Sequence, residues 1–325
     1  MKLLVTGAAG FIGLAVLKVL ASRKGRVVFA TCRQPSQALL DVCRNSSNIY
    51  LLDGCDLTRA AHVASLPRDI THVVHAMAYA RFESGNTPQL YSANVLATQH
   101  LIGHLRMHSS HSLQRLLFTS SIGVHDRPRL YNRSRKLNEE SPLAPASYYG
   151  ATKKEAERLV AESGLPHVIA RLTWVYGPGM RRDSHIRAFA KMVRKGSFFA
   201  LFDFPGRIMT AYIDDVGDAL VKLIEKENLR YTEYFVSHAE PVAIGQVFRH
   251  LRHLEGIPNT RVVPSLCIAP LASLGVLLPM KLRTVIEANY LVCDVARLAE
   301  EGIRLETPFH EGLKVCYETS EWKND

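Results

Sequence analysis

A tyrosine and a lysine four residues apart are the first candidates for chemistry in this sequence. The stretch YYGATKK (148–154) allows Tyr149 and Lys153 to share one face of a helix. A free tyrosine titrates at about pH 10 and is a poor base at neutral pH, but a nearby positive charge favours its anionic form. Such a pair could move the proton of a secondary alcohol. The same spacing also fits an ordinary helix, so the choice depends on the rest of the chain.

A glycine-rich stretch predicts where a phosphate-bearing cofactor binds. Residues 7–13 read GAAGFIG and follow an apolar run, KLLVTG. Glycine lets the backbone turn sharply and approach a pyrophosphate, and the N-terminus of the next helix offers free N–H groups. A strand before and a helix after are the context that this motif requires. The predicted dinucleotide contacts are Gly7, Gly10, Phe11, Ile12 and Gly13.

The end of the next predicted strand indicates which dinucleotide is bound. An NAD site usually places an acidic residue there for the ribose hydroxyls. Here the stretch is ATCR (30–33), which has no carboxylate, and the guanidinium of Arg33 could pair with a 2′-phosphate. Asp56 could accept a hydrogen bond from the adenine amino group. We predict NADP, with NAD as the alternative.

Short apolar strands alternate with helical stretches in the first part of the chain. The strand candidates are KLLVTG (2–7), RVVFATC (26–32), IYLLDGCDL (49–57), HVVHAMA (72–78), RLLFTSS (115–121) and PHVIARLTWVYG (166–177). This alternation predicts an α/β fold with a doubly wound parallel sheet. We expect a nucleotide-binding domain at 1–177 and a smaller, mainly substrate-binding region at 178–325. A segment at about 208–240 is expected to return to the sheet.

The charge of the 325 residues narrows the possible partners. A formal net charge of +10 favours anionic ligands. Basic residues cluster at 126–136 and 179–187, but neither cluster interleaves aromatic residues, so no nucleic-acid partner is predicted. The apolar run at 264–279 is interrupted and too short to span a bilayer, so membrane contact is at most peripheral.

The sequence indicates no targeting segment, disulfide framework or metal site. The first apolar run is broken too early for a signal peptide, and the six cysteines show no C-x-x-C spacing. We therefore expect a cytoplasmic protein with free thiols. His100, His104 and His108 could share one helix face, but no nearby carboxylate or cysteine completes a zinc site.

The order of the motifs resembles the extended short-chain dehydrogenases/reductases. The motifs are TGAAGFIG (6–13), DL (56–57), HVVHAMA (72–78), NVLATQHL (94–101), LLFTSSIGV (116–124), YGATKKEAE (149–157), RLTWVYGPG (171–179) and YIDDV (212–216). They span essentially the whole chain, and their joint order is more specific than any one of them. The resemblance implies a Rossmann domain, a C-terminal substrate-binding region and a homodimer paired through the Asn94 and Tyr149 helices.

Residue roles also follow from this resemblance. Tyr149 corresponds to the acid or base, Lys153 to its partner, Ser121 to the hydroxyl that holds the reacting oxygen, and Asn94 to the helix asparagine of the catalytic set. Thr119 and Ser120 lie earlier on the same strand, where hydrogen bonding to the backbone is expected. The cofactor contacts implied by position are Asp56, Leu57, Ala76, Tyr149 and Lys153.

The main functional prediction is an NADP-dependent oxidoreductase that interconverts a ketone and a secondary alcohol. Arg33 and the apolar run at 264–279 resemble the hydroxysteroid-dehydrogenase and dihydroflavonol-reductase branch, whose substrates are bulky and apolar. A non-catalytic NADP-binding regulator is less consistent with the sequence, since such proteins usually lack the tyrosine or the lysine. Tyr149 and Lys153 are both present.

The alternative is a nucleotide-sugar (UDP-sugar) 4-epimerase. Its anionic substrate could meet basic side chains from the two clusters, Arg127, Arg129, Arg133, Arg181 and Arg182. Many such epimerases carry Arg-Asp-Phe before the Tyr-x-Asp-Asp element, where this chain has Ile208-Met209-Thr210. A sugar 4,6-dehydratase is disfavoured, because Ile122-Gly123 follow Ser121 where elimination needs an acid and a base.

Overall fold

The computed structural model describes residues 1–80, 87–125, 136–258, 291–319 and 322. Three arginines predicted near an anionic substrate, Arg127, Arg129 and Arg133, lie outside these ranges. The apolar run at 264–279, for which membrane contact is predicted to be at most peripheral, also lies outside them.

A seven-stranded parallel sheet forms the centre of the described fold. Its order is β10-β6-β5-β4-β1-β2-β3, and every neighbouring pair in it is parallel. The strands are β1 (Lys2–Thr6), β2 (Val27–Thr31), β3 (Ile49–Leu52), β4 (His72–His75), β5 (Arg115–Ser121), β6 (His167–Leu172) and β10 (Glu233–Val236). The order reverses at β1 and β4, which is where a doubly wound sheet binds its ligand. The predicted fold class is confirmed.

Helices cover both faces of this sheet, and three further helices lie in a second core. Those around the sheet are α1 (Phe11–Ala21), α2 (Gln37–Arg44), α3 (Ala60–Ala64), α4 (Thr87–Tyr91), α5 (Ala97–His108), α6 (Tyr148–Ala161), α8 (Ile213–Glu225) and α10 (Ala296–Glu300). Those of the second core are α7 (His185–Arg194), α9 (Ile244–Leu254) and α11 (Phe309–Glu318). A π-helical turn, Ser92–Leu96, joins α4 to α5, and a 3-10 turn, Ile122–His125, follows β5.

Two apolar layers hold these helices to the sheet. On one face, α1 and α8 pack closely, because Gly217 of α8 lies against the backbone of Ala15 in α1. On the other face, α5 and α6 bury Leu101, Leu105 and Val160 against the sheet. The continuous apolar strands are required by this double coverage.

The remaining described elements form a second, smaller core. Two short sheets belong to it, one pairing β7 (Trp174–Tyr176) with β9 (Thr210–Tyr212) and the other pairing β8 (Arg207–Ile208) with β11 (Val242–Ala243). Aromatic rings dominate its packing. Tyr176 lies 5.0 Å from Phe309 and 5.7 Å from Tyr212, between ring centroids.

The predicted homodimer depends on α5 and α6, which lie side by side on one face of the sheet. A groove of about 630 Å³ runs between α3, α5 and α6, and Met107 beside it is 76% exposed. The dimer stays a prediction. In the described parts of the chain, no helix combines the length and the apolar character needed to cross a bilayer.

Candidate active site

The glycine-rich loop forms a cradle between β1 and α1. Gly7 has a φ of +68°, and a Cβ there would lie 2.7 Å from the Cα of Met77. A Cβ at Gly13 would overlap the carbonyl oxygen of Gly7. The backbone N–H of Ala76 bonds the Thr6 carbonyl at 3.3 Å, which brings the end of β4 beside this loop. Only glycine permits these close approaches, which the tight turn and the helix–strand packing of a dinucleotide loop require. The residues therefore fit the predicted dinucleotide.

The start of α1 is open to a ligand. Gly10 is its N-cap, the first turn contains no acidic residue, and no side chain among the described residues caps it. The predicted contacts Phe11 and Ile12 are partly buried and pack against the second core. Their side chains therefore tie the two cores together, and the N–H groups of this turn are what the loop offers to a phosphate.

Arg33 and Asp56 lie beyond the ends of β2 and β3, close enough for the charge of Arg33 to act on the Asp56 carboxylate. Arg33 is exposed and Asp56 is half-buried. Burial alone would raise the pKa of Asp56, but two hydrogen bonds from Thr58 and the charge of Arg33 lower it below its usual value. Leu57 differs from its neighbour, because its side chain is only 1% exposed and packs in the core. A nucleotide contact at Leu57 is therefore limited to its backbone.

The first turn of α6 is brought against the end of β5. Ser147 caps the helix by accepting the N–H of Gly150 at 3.0 Å. A Cβ at Gly150 would overlap the carbonyl oxygen of Gly123, so only glycine allows this approach. The hydroxyl of Ser121 accepts the N–H of Gly123 at 3.1 Å. The turn that holds Ser121 therefore lies directly against the turn of α6 that carries Tyr149.

Asn94 fixes that helical turn from the other side. It is 1% exposed within the π-helical turn, a distortion that is frequent at functional sites. Its side-chain N–H donates to the Thr152 hydroxyl at 2.9 Å, and that hydroxyl donates to the Tyr149 carbonyl at 2.8 Å. Its amide also pairs with both backbone groups of Tyr79, at 2.8 and 3.2 Å. Asn94 thus connects the end of β4 to the catalytic helix.

Lys153 lies beneath this turn, on its inner face. It is 1% exposed, and its Nζ lies 4.1 Å from the centre of the Phe118 ring. Burial lowers the pKa of Lys153 to about 7, although the charge of Glu157 partly offsets the shift. The ring face of Phe118 favours the charged form of the amine, so it holds the ammonium in place.

A buried ion pair anchors α6 one turn further along. Arg171 on β6 donates to both carboxylate oxygens of Glu157, at 3.1 and 3.0 Å, and both side chains are under 5% exposed. Its remaining donors reach the Glu139 carbonyl at 2.8 Å and the Glu233 carboxylate at 3.2 Å. Breaking one partner of such a pair typically costs about 3–5 kcal/mol. The ion pair therefore fixes the position of α6 relative to strand β6.

Neighbours of the predicted catalytic residues are distinguished by their burial. Tyr148 is 45% exposed, and Lys154 lies on the surface and donates to the Leu143 carbonyl at 2.9 Å. Thr119 donates to the His75 carbonyl at 3.1 Å, which confirms the backbone role predicted for it. The hydroxyl of Ser120 is buried and finds no partner within the described residues.

The three helix histidines are engaged with backbone groups or with each other. His100 bonds the Leu57 carbonyl at 2.9 Å, and His104 bonds that of Pro67 at 3.1 Å. The rings of His104 and His108 lie 4.8 Å apart. Within the described ranges, no group of three or more His, Cys, Asp or Glu side chains is arranged to hold a metal ion.

The basic cluster at 179–187 is partly used in packing. The Nε of Arg181 bonds Asp183 at 2.8 Å, and Arg187 lies 5.1 Å from the ring of Trp322. His185 stacks on Trp174 with centroids 4.6 Å apart. Ile208 is 2% exposed in the second core, whereas Arg207 beside it is exposed. The position at which many nucleotide-sugar epimerases carry an arginine is therefore a core position here.

Sequence reasoning missed four residues that position this site: Gly150, Thr152, Phe118 and His75. Gly150 stands within the quoted YGATKK motif, so its place between Tyr149 and Lys153 was the available signal. His75 stands within HVVHAMA. Thr152 and Phe118 carry no signal of their own, because each acts through a partner distant in sequence.

The comparison with family models decides the family. The model of the NAD dependent epimerase/dehydratase family matches residues 3–236. The chain belongs to this family. Its members include enzymes of the extended short-chain dehydrogenase type, as the resemblance implied, and the chain is an enzyme of that type.

Individual relatives of this family member differ in their named reactions. An uncharacterised UDP-glucose epimerase of Bacillus subtilis, YtcB, is 28% identical over 270 residues, covering 79% of this chain and 83% of that protein. A 2-alkyl-3-oxoalkanoate reductase of Stenotrophomonas maltophilia is 27% identical over 274 residues, covering 80% and 77%. Both an epimerase and a ketone reductase are therefore among its relatives.

A solved structure of similar fold is the UDP-glucuronic acid 4-epimerase of Bacillus cereus in complex with UDP-glucuronic acid and NAD. The TM-score is 0.78 at 22% identity, and the alignment covers 100% of this chain and 99% of that one. At this identity the likeness shows the fold alone. It confirms that the sheet and its helices have the arrangement of a Rossmann-type enzyme.

Proposed function

We propose that this enzyme uses bound NAD or NADP to oxidise and reduce one secondary carbinol, and that the reaction is the 4-epimerisation of a nucleotide-linked sugar. The observation that carries the chemistry is the contact of Gly150 with Gly123. It brings the Ser121 turn against the turn that carries Tyr149, with Lys153 buried beneath. This packing supports a site at the carboxyl end of β5 that combines a hydroxyl, a phenol and an ammonium group.

Each residue has a part in the proposed reaction. Tyr149 removes the proton from the substrate hydroxyl during oxidation and returns a proton to the oxygen during reduction. Ser121 donates a hydrogen bond to that oxygen and holds it in place. The positive charge of Lys153 favours the anionic form of Tyr149. Asn94 keeps the helical turn in register through Thr152.

The glycine loop, Asp56 and Arg33 would hold the dinucleotide. Gly7, Gly10 and Gly13 provide the cradle for its pyrophosphate. When bound, the nicotinamide supplies a hydride acceptor and donor. The similar Bacillus cereus epimerase was solved with NAD, which supports NAD, whereas exposed Arg33 at the end of β2 supports a 2′-phosphate and NADP.

Two observations favour epimerisation over the other reactions of the family. UDP-sugar epimerases occur among both the sequence relatives and the solved structures of similar fold. A dehydratase needs an acid and a base next to Ser121, and the chain has Ile122 and Gly123 there. The sequence alone favours a ketone/alcohol oxidoreductase, and the comparisons support the epimerase alternative better.

The oxidoreductase remains a second candidate because of one feature of the site. Ile208 is buried where many nucleotide-sugar epimerases carry a pyrophosphate-binding arginine. A substrate without a pyrophosphate does not need that arginine. The reductase from Stenotrophomonas maltophilia supports the same reading.

Nucleotide retention and sugar conversion test the proposal together. An epimerase returns the hydride to its own intermediate and tends to keep its cofactor, whereas a dehydrogenase must exchange it in each cycle. We expect denatured pure protein to release about one equivalent of nucleotide, and native protein to interconvert UDP-glucose or UDP-glucuronic acid with its C4 epimer. Absence of retained nucleotide and of epimer formation, together with NADP-dependent oxidation of apolar secondary alcohols, would favour the second candidate.

A further inference from the structure

A row of three buried side chains crosses the sheet directly below the candidate site. In the strand register, Thr6 of β1 pairs with His75 of β4, and His75 pairs with Phe118 of β5. Paired residues of parallel strands point to the same face, here the face covered by α5 and α6. All three are fully buried. Gly7, the first residue of the glycine loop, follows Thr6 immediately.

The hydrogen bonds of His75 define its tautomer. Its Nε2 lies 2.9 Å from the hydroxyl of Thr98, and that hydroxyl already donates its only proton to the Asn94 carbonyl at 2.8 Å. Thr98 can therefore only accept, so Nε2 carries the proton. Nδ1 then accepts from the Thr6 hydroxyl, 2.6 Å away. Burial, assisted by the charge of Lys153, lowers the pKa of His75 to about 3, which keeps the ring neutral.

Further hydrogen bonds connect His75 to helix α6, which carries Tyr149. Thr98 leads to the backbone of Asn94, whose side chain leads through Thr152 to the Tyr149 carbonyl. A second contact runs through Phe118, whose ring lies 5.7 Å from that of His75 and supports the ammonium of Lys153. One imidazole thus contacts the strand of the cofactor loop, the Asn94 turn and the ring beneath Lys153.

We propose that His75 is a positioning residue for the hydride-transfer site, which fixes the strand of the glycine-rich loop relative to the Asn94 turn and to the first turn of α6. This inference rests on the proposed function, in which Tyr149 is the acid or base. The distance between a bound dinucleotide and the Tyr149 side chain depends on how the strand of the glycine-rich loop lies relative to the first turn of α6. A misplacement of about 1 Å can cost roughly 10²-fold in rate.

Three variants separate the two bonds of the ring. His75→Leu removes both. His75→Gln offers an amide donor where Nε2 donates to Thr98, and His75→Asn offers an oxygen where Nδ1 accepts from Thr6. The matched control is His72→Leu. His72 begins the same strand, is 5% exposed, and bonds Thr71 at 2.9 Å, at the far end of the strand from the site.

Amide hydrogen exchange tests the coupling without any substrate. In His75→Leu we expect the amides of 92–98 and 148–153 to exchange about fivefold faster, because a buried hydrogen bond contributes about 1 kcal/mol. In His75→Gln, which keeps the Thr98 bond, these segments should stay near wild type. In His75→Asn, they should loosen as in His75→Leu. If His75→Leu loosens these segments no more than His72→Leu does, the inference is wrong.

Kinetics test the consequence for the reaction. With UDP-glucose or UDP-glucuronic acid, whichever the enzyme converts, we expect His75→Leu to lower kcat roughly 10- to 100-fold with little change in KM. His72→Leu should leave kcat unchanged. An equal loss of kcat in both variants would overturn the positioning role. If neither sugar is converted, the proposed function fails, and the exchange experiment alone still decides whether His75 couples the two elements.

Discussion

The seven-stranded sheet with its helices and the second core, which we propose as the nucleotide-binding half and the substrate half, are built in different ways. In the first, seven parallel strands end at one edge, where Gly7 follows β1, Ala76 follows β4 and Ser121 is the last residue of β5. In the second, two-stranded sheets and helices pack around one cluster of aliphatic and aromatic side chains, in which Tyr176 contacts Phe309. The regular half supports one kind of chemistry, hydride transfer at a carbinol. We propose that the irregular half determines the choice of substrate.

The largest effect on the proposed chemistry is expected when the phenol of Tyr149 is removed. We expect Tyr149→Phe to lower kcat roughly 10³- to 10⁴-fold, because no other group in the proposed site moves the proton. Nucleotide content after denaturation should stay at the wild-type level. Tyr148→Phe is the control, since Tyr148 is 45% exposed and should be dispensable. Activity retained in Tyr149→Phe would remove the basis of the proposed mechanism.

The next largest effect is expected at Lys153. We expect Lys153→Met to lower kcat about 10²-fold, because the positive charge beside Tyr149 is lost. Lys154→Met should have no such effect, since its amine lies on the surface. Steady-state rates of the two variants with the same UDP-sugar make the comparison. If the two variants had equal kcat values, the loss would not depend on the position of the lysine, and the proposed role of Lys153 would be contradicted.

A smaller effect concerns the choice of dinucleotide. Arg33→Asp should lower the preference for NADP over NAD by about 10- to 100-fold, because a charge-assisted hydrogen bond contributes about 1.5–3 kcal/mol. Arg44→Asp changes the net charge equally on exposed helix α2 and should leave the preference unaltered. Dissociation constants for both nucleotides, measured by calorimetry, check this. An unchanged ratio in Arg33→Asp would leave NAD as the cofactor.

The smallest expected effect is a loss of stability in acid. Burial lowers the pKa of His72 to about 4 and that of His75 to about 3, from an ordinary 6.5. Between pH 6.5 and about 4 the unfolded chain therefore binds protons that the folded chain does not. The free energy of unfolding consequently decreases as the pH is lowered through this range. Each histidine contributes up to about 1.4 kcal/mol per pH unit. Denaturation curves at pH 7 and 5 should show a shallower loss for His72→Leu, and an unchanged loss would contradict these shifts.

The sequence predicts the nucleotide half well because its signals are local. A strand, a glycine turn and a helix follow one another at 2–21, and Tyr149 precedes Lys153 by one helical turn. Spacing pairs Tyr149 with Lys153 but could not decide between a catalytic pair and an ordinary helix. The position of Tyr149 in the family pattern did so, and burial agrees with it, with Lys153 at 1% exposed.

Other features could not be predicted because they join residues far apart in the chain. The bonds of His75 to Thr6 and Thr98, and the ion pair of Arg171 with Glu157, depend on sheet register and helix placement. The sequence also did not reveal that Leu57 turns into the core. In the proposed substrate half, the sequence shows Arg181 and Arg187 as part of a basic cluster. The hydrogen bond of Arg181 to Asp183 and the packing of Arg187 on the ring of Trp322 depend on the fold.

The most direct test of the proposed reaction follows a hydride from the substrate. UDP-glucose labelled with deuterium at C4 is incubated with the enzyme, and the C4 epimer is analysed by mass spectrometry and NMR. An epimerase returns the same hydride, so we predict that the epimer keeps its deuterium at C4 and that none accumulates in free nucleotide. Loss of deuterium to free NADH or NADPH, or the absence of any epimer, would contradict the account.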